Sequence, residues 1–425
     1  MNLTGIIALL IFIAGYALIT LEHRLSTNKS AIALAVGSIL WILLAATTSH
    51  PEELNHLLHD TGAEIFSIIA FLLAAMAIVE ILAHYRFFDL IRMKLAKLNL
   101  DDKKQFIVMG VITFFLSAIL DNLTVTIVMV QIARQFFVKK NLLIAVAGIV
   151  ILANAGGAWS PIGDVTTIML WLANKFTVME IITHTFVPSA ILGTVAGGLL
   201  VRQMTNSKMD AIIDKAIKLS RGEKTVITTA LGSFTLPLIM NIIGLPPYLG
   251  LLLGLGIVWC IIEYAKFHSK TKTHLNANID NLLQKTDISS LKFFIGILLA
   301  VAALNAFGIL ESVSVFLFGA AQDPIRLTAG TTIMGLLSAI VDNVPLTALS
   351  IDLIKSTEPA VWTFLAFAVG TGGSALIIGS VSGVVAMGMV KELNFGNYLK
   401  IATIPAVVGY AAGVIGYIIF HALVF

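Results

Sequence analysis

Long apolar runs separated by short charged loops dominate the chain. Stretches at about 3–20, 31–47, 64–83, 180–201, 225–243, 247–265, 291–310 and 400–424 stand out. At about 1.5 Å per helical residue, each is long enough to cross a hydrocarbon core of roughly 30 Å. Four further segments do not fit a single span. Residues 105–138 would make a straight helix of about 50 Å, too long even when tilted. Lys103 and Lys104 flank one end of that segment, and Lys139 and Lys140 the other. A re-entrant hairpin returning to its starting side explains both features. Residues 142–173 are also overlong, with Asn154-Ala-Gly-Gly-Ala-Trp-Ser-Pro-Ile-Gly-Asp164 at their centre. Glycines and a proline there disfavour continuous helix, which predicts a spanning helix with an unwound middle. Residues 326–356 and 359–390 repeat the hairpin and the broken span in the C-terminal half.

Loop charges set the expected orientation. Placing 21–30, 84–104, 134–140, 202–224, 266–292 and 391–400 in the cytoplasm leaves only Lys175, Arg326 and Lys355 of the 27 lysines and arginines outside. The acidic connection with Glu52, Glu53 and Asp60 also falls outside. That balance is reached only if both predicted hairpins return without crossing. Both termini are then expected outside, and the first span, which lacks a basic leader, is expected to be retained.

The two halves match each other. Ser117-Ala-Ile-Leu-Asp-Asn-Leu-Thr-Val-Thr126 aligns with Ser338-Ala-Ile-Val-Asp-Asn-Val-Pro-Leu-Thr347, six identities in ten at an offset of 221. Gly156-Gly157 and Gly163-Asp164-Val165-Thr166 align with Gly372-Gly373 and Gly379-Ser380-Val381-Ser382 at an offset of 216. The expected fold is therefore an all-α polytopic membrane protein of two inverted repeats. Each repeat has three spans, a re-entrant hairpin, a broken span and a final span, over residues 1–202 and 225–425 with a cytoplasmic linker at 203–224. Five crossings per repeat is an odd number, so the second copy is inverted and the hairpin tips meet near the midplane.

Composition narrows the function. The chain is 58% hydrophobic and 12% charged, against about 25% charged residues in soluble domains. Its net charge of +3 includes no basic tract interleaved with aromatics, so nucleic acid is not an implied partner. Cys260 is the only cysteine and reads as a small core residue. No phosphate-binding loop of the Walker type is present, so ATP is not expected to drive transport and energy must come from ion gradients. No cofactor is expected.

Charges within hydrocarbon cost roughly 2.5–3.5 kcal/mol each on insertion scales and need a reason. Asp121-Asn122 and Asp342-Asn343 sit at the predicted hairpin tips. Asp164, with Thr166 and Thr167 behind it, sits in the first break, and Ser380, with Ser374 and Ser382, in the second. Carboxylate, amide, hydroxyl and freed backbone oxygen together suit a small hard cation and repel an anion. A dry carboxylate site holds a proton or a metal ion, but not both well. With alternating access, that exclusivity is antiport. Asp121 and Asp164 are the expected Na⁺ or Li⁺ and proton ligands, with Asp342 in the second half-site. Other roles stay open: Asp121, Asp342 and Asp164 as helix caps, and the Asn, Thr and Ser residues as packing groups. Glu64 and Glu80 are proton-relay candidates or snorkelling carboxylates, and His84 a pH sensor or a plain interfacial histidine.

At these motifs the chain resembles the ion transporter superfamily, and specifically NhaD-type Na⁺/H⁺ antiporters, over essentially its whole length. The resemblance rests on Leu120-Asp-Asn-Leu-Thr-Val-Thr126, on Asn154 through Thr167, and on Val341-Asp-Asn-Val-Pro-Leu-Thr347. In the related dicarboxylate transporters the tips carry Ser-Asn-Thr in place of Asp-Asn. The resemblance implies Na⁺ and Li⁺ efflux against entering protons in a bacterial inner membrane. It also implies a scaffold domain, a mobile transport domain and a homodimer. Its site residues would be Asp121, Asn122, Asn154, Asp164, Thr166, Thr167, Ser338, Asn343 and Ser380, with Thr126 and Ser382 beside them. An acidic position before the first hairpin has two candidates, Asp101 and Asp102. Two other readings compete: an anion, arsenite or citrate permease on the same fold, and a membrane sensor or enzyme on a degenerate transporter fold.

Overall fold

A computed structural model describes residues 3–20, 28–48, 51–206, 219–268, 284, 286–319, 321–390 and 392–424. Among them there are helices and turns but no strand. The first half contains α1 (Leu3–Thr20), α2 (Lys29–Thr47), α3 (Pro51–His84), α4 (Phe87–Lys97) and α5 (Asp102–Ser117). It continues with α6 (Asn122–Phe136), α7 (Lys139–Gly157), α8 (Val165–Leu172) and α9 (Val178–Gln203). The second half contains α10 (Arg221–Ser233), α11 (Leu236–Ile242), α12 (Pro247–His268), α13 (Ile288–Ala306) and α14 (Ile309–Phe318). After these come α15 (Pro324–Leu337), α16 (Asn343–Leu353), α17 (Pro359–Gly372), α18 (Val381–Met389), α19 (Phe395–Ile401) and α20 (Thr403–Val424).

Eight helical segments among the described residues are long and apolar enough to cross a bilayer, and the protein is a multi-pass membrane protein. Several boundaries differ from the sequence expectation. The acidic stretch after α2 is helical from Pro51, whose fixed φ suits a first helical position, so Glu52, Glu53 and Asp60 lie on α3 and not in a connection. The expected span 225–243 is interrupted after Ser233, and Pro237 opens a separate short helix. Within the expected loop 84–104, α4 forms with Phe88 and Leu95 buried and an Arg92–Asp89 ion pair at 3.5 Å on its polar side. Cys260 is exposed on α12, where a core position was expected. Much of the 203–224 linker, and His23 and His50, lie outside the described residues; its end is helical, with Ser220 capping α10 through a reciprocal pair with Glu223.

The overlong segments double back at the expected places. The start of α5 meets the start of α7, which follows the end of α6: Asn141 Nδ2 donates to Asp102 Oδ2 at 2.6 Å. The turn of the α5–α6 segment, residues 118–121, therefore lies far from its two joined ends. In the second half Gln322 Nε2 donates to the Leu353 carbonyl at 2.8 Å, and the Lys355 N–H donates to Gln322 Oε1 at 2.8 Å. These bonds join the start of α15 to the end of α16. The two segments that follow break as α7/α8 and α17/α18, and the first helix of each is buried along most of its length.

Equivalent last helices run antiparallel. Gly409 packs on Ala196 and Gly413 on Leu192, while Gln203 near the end of α9 donates to the Ile401 carbonyl before α20 at 3.0 Å. By contrast α2 and α13 run parallel, because Ser30 bonds the Ser289 carbonyl at 2.7 Å and Trp41 the Leu299 carbonyl at 3.0 Å. Even the entries to α4 and α14 correspond: Arg86 (φ 67°) and Gly308 (φ 71°) are both left-handed.

Close backbone approach explains two of the glycines. A Cβ on Gly156 would run into the Phe114 carbonyl, and one on Gly372 into the Gly335 carbonyl. These pairs press each broken helix against the first helix of its own hairpin. We expect Gly156→Ala and Gly372→Ala each to destabilise the fold by about 1–3 kcal/mol or more, read as a lowered midpoint of thermal loss of the monodisperse peak in fluorescence-detected size exclusion. Gly198→Ala, whose Cβ meets open space, should leave the midpoint unchanged.

Candidate functional site

Four helices begin inside the apolar interior, at the two tips and the two breaks. Each is started by a polar residue. At the first tip Asp121 caps α6, Oδ1 accepting from the Thr124 N–H at 2.9 Å and Oδ2 from the Thr124 hydroxyl at 2.5 Å. At the second tip Asp342 caps α16 by accepting from the Val344 N–H at 3.2 Å, and its own N–H donates to the Tyr16 hydroxyl at 2.9 Å. Asp164 caps α8, accepting from the Thr166 N–H at 3.2 Å; the Thr167 hydroxyl donates to the Asp164 carbonyl at 2.8 Å. Ser380 caps α18, accepting from the Gly383 N–H at 3.2 Å. Asp164 (φ −146°, ψ 149°) and Ser380 (φ −140°, ψ 147°) have nearly the same backbone. These caps satisfy N–H groups that a helix start leaves open.

Contacts recur in both halves at the offsets read from sequence. Ser117 Oγ donates to the Ala153 carbonyl at 2.7 Å, and Ser338 Oγ to the Val369 carbonyl at 2.9 Å. Ser338 therefore ties its hairpin to the broken helix. The asparagines after the tip aspartates reach further. Asn122 Nδ2 donates to Asn154 Oδ1 at 3.0 Å, and Asn154 Nδ2 donates to Ser374 Oγ at 2.9 Å, bridging the two breaks. Asn343 Nδ2 donates to Asp164 Oδ1 at 3.3 Å. Gly370 occupies the position equivalent to Asn154, and a Cβ there would sit 3.1 Å from Asp164 Oδ2.

These residues converge on a cavity of about 50 Å³. Its polar lining is Asp121, Asn122, Asp164, Asn343, Ser380 and Ser290, while Leu72, Met76, Val79 and Phe294 supply an apolar wall. No Lys, Arg or His lines it. Asp164 is 1% exposed, so its carboxylate is cut off from solvent screening. Asp342 does not line the cavity, and among the described residues no group of three His, Cys, Asp or Glu is placed to hold a metal ion together. The two carboxylates that share the cavity are Asp121 and Asp164.

The remaining candidates stand apart or in support. Thr126, Thr166 and Ser382 are buried with side-chain oxygens that have no hydrogen-bond partner among the described residues. Glu64 is exposed on α3, Glu80 is half-buried on the same helix, and His84 in its last turn packs edge-on against Tyr85 at 5.2 Å. Asp101 and Asp102 separate cleanly. Asp101 is an interfacial cap paired with Lys104 at 3.3 Å, and the Lys104 N–H holds its carboxyl below the usual range. Asp102 is buried on Asn141, whose Nδ2 also donates to the Thr205 carbonyl at 2.8 Å. Sequence reasoning missed Thr124 and Tyr16. Thr124 carries a local signal, an Asp three residues earlier at a helix start; Tyr16 carries none, because its partner is 326 residues away.

Residues 7–363 match the family described as citrate transporters. Sodium/proton antiporter 2 of Arabidopsis thaliana is 38% identical, over 97% of this chain and 99% of that protein. Sodium/proton antiporter 1 of the same plant is 36% identical, over 98% of this chain and 72% of its own length. The Na⁺/H⁺ antiporter NhaD of Vibrio cholerae is 27% identical, over 97% and 91%. The chain belongs to the citrate-transporter family of secondary transporters, among relatives named as sodium/proton antiporters that include the NhaD type.

Proposed function

We propose that the protein exchanges cytoplasmic Na⁺ and Li⁺ for external H⁺ by alternating access. The observation that carries this reading is the cavity: two carboxylates, two amides and two hydroxyls, with no cationic side chain facing them among the described residues. Hard cations take oxygen ligands, and carboxylates supply both the ligand and the charge. A citrate trianion would meet two carboxylates with no counter-charge, in about 50 Å³. The sodium/proton antiporters among the relatives support the same choice over the family's citrate label.

In this reading Asp121 and Asp164 hold either the cation or protons. Asn122 and Asn343 orient them, and Asn154 keeps the first tip and both breaks in register. Thr166, Thr126 and Ser382 supply the unpartnered hydroxyls nearest the caps. Thr167, Ser338 and Asp342 hold the helix starts and hairpins in place, Asp342 belonging to the second half-site. Glu64, Glu80 and His84 stand as relay or pH-sensing groups on α3. The halves 1–202 and 225–425 are read as inverted repeats, supported by the antiparallel α9 and α20 and by the paired contacts at offsets 221 and 216. The charge balance favours both termini outside a bacterial plasma membrane, and a homodimer is the expected assembly.

Everted vesicles with an acid interior, reported by a quenched amine dye, test the reading. Rapid dequenching by NaCl and LiCl at pH 7 to 9 is expected for the wild type and should vanish in Asp164→Asn. A response to citrate or arsenite in place of Na⁺ would put the anion permease first. Because Asp342 lies off the cavity, Asp342→Asn should keep the half-saturating Na⁺ concentration within about twofold of wild type, a difference of about 0.4 kcal/mol. A larger shift places Asp342 on the cation. Alkaline phosphatase fused after residue 322 should be active and after residue 206 inactive, and the reverse pattern would invert the topology.

A further inference from the structure

A second cavity, of about 550 Å³, lies away from the cation site, between the first helix of hairpin one and α9. Its walls are apolar, with Ile107 and Val111 on α5 and Gly193, Gly197 and Gly198 on α9. A Cβ at Gly197 or Gly198 would meet open space, so the glycines leave a channel instead of packing against a neighbour. One end is closed by aromatic rings: Trp159 stacks on Phe114 at 6.0 Å and meets Phe186 edge-on at 5.1 Å. At the other end stands Arg202, in the last turn of α9. It is exposed and has no salt-bridge partner among the described residues.

We propose that this groove binds one acyl chain of an anionic phospholipid, with the headgroup phosphate on Arg202. Length, polarity and charge each point to that occupant. From Phe186 to Arg202 the groove follows α9 for about 24 Å, enough for a chain crossing one leaflet of a roughly 30 Å core. An arginine at a helix end snorkels to the interface and attracts anionic headgroups there. The equivalent cavity in the second half makes the contrast. Leu327, Thr328 and Thr331 stand 221 residues after Phe106, Ile107 and Gly110, but that cavity also carries Lys355, Glu358 and His421. Its mixed charges and polar walls do not suit an acyl chain.

The test is native mass spectrometry of the full chain in detergent, titrated with dioleoyl phosphatidylglycerol or dioleoyl phosphatidylethanolamine. Phosphatidylglycerol should bind about fivefold tighter in the wild type, the weight of one arginine at the interface. Arg202→Gln should remove that preference and Arg202→Lys should keep most of it. Gly197→Leu, which fills open space and so should retain a monodisperse folded peak, should exclude both lipids. Equal binding of the two lipids to wild type, a preference surviving in Arg202→Gln, or unchanged adducts in Gly197→Leu would overturn the proposal. So would a Gly197→Leu variant whose only change is its monomer–dimer ratio, which would make the groove a contact between copies.

Discussion

A helix that starts or stops inside hydrocarbon leaves backbone N–H and carbonyl groups without water to bond, at several kcal/mol for each unsatisfied group. This protein does so at two tips and two breaks, and most of its central architecture answers that cost. Asp121, Asp164, Asp342 and Ser380 accept the open N–H groups of four helix starts. Carbonyls at the breaks are met by distant hydroxyls: Thr185 donates to the Ala158 carbonyl at 3.2 Å and Tyr398 to the Ser374 carbonyl at 2.7 Å. Position 374 stands 216 residues after 158, so the same helix end is served in each half, by an unrelated residue. The polar groups that remain after this accounting, one face of each of two carboxylates and a few amides and hydroxyls, are what faces the cavity.

The proposed cation site is therefore inseparable from the fold. Asn154 cannot be assigned to ligand or scaffold alone, since it holds Asn122 of one tip and Ser374 of the other break through the two ends of one amide. The same holds for Asp164, which starts α8 and also receives the Asn343 amide from the opposite hairpin. Any displacement of one hairpin against the broken helices would break these bonds. The apolar wall of Leu72, Met76, Val79 and Phe294 comes from α3 and α13, outside the tips and breaks.

Much of this was legible in the chain. Length against bilayer thickness singled out the four anomalous segments, and the helix starts at Asn122, Val165, Asn343 and Val381 fall at the repeated Asp-Asn and Gly-Gly motifs. What sequence did not show has a common cause: it depends on contacts across the fold. The separation of Asp342 from the cavity, the Tyr16 bond to its N–H and the burial of Asp102 on Asn141 are long-range facts with no periodic or local signature. Helix α4 and the early start of α3 were missed for another reason. Their charged residues read as loop, yet an interfacial helix needs only one apolar stripe, here Phe88 and Leu95.

Ser380 gives the duplication a further meaning. It occupies the same backbone conformation as Asp164 and starts its helix with the same kind of side-chain bond. Serine and aspartate are about equally good at that task. The chain thus performs on itself a neutralisation experiment: one copy of the motif keeps a formal charge, the other does without it, and both helices form. Capping alone does not require the negative charge of Asp164. The two breaks therefore have the same backbone shape and unequal electrostatics.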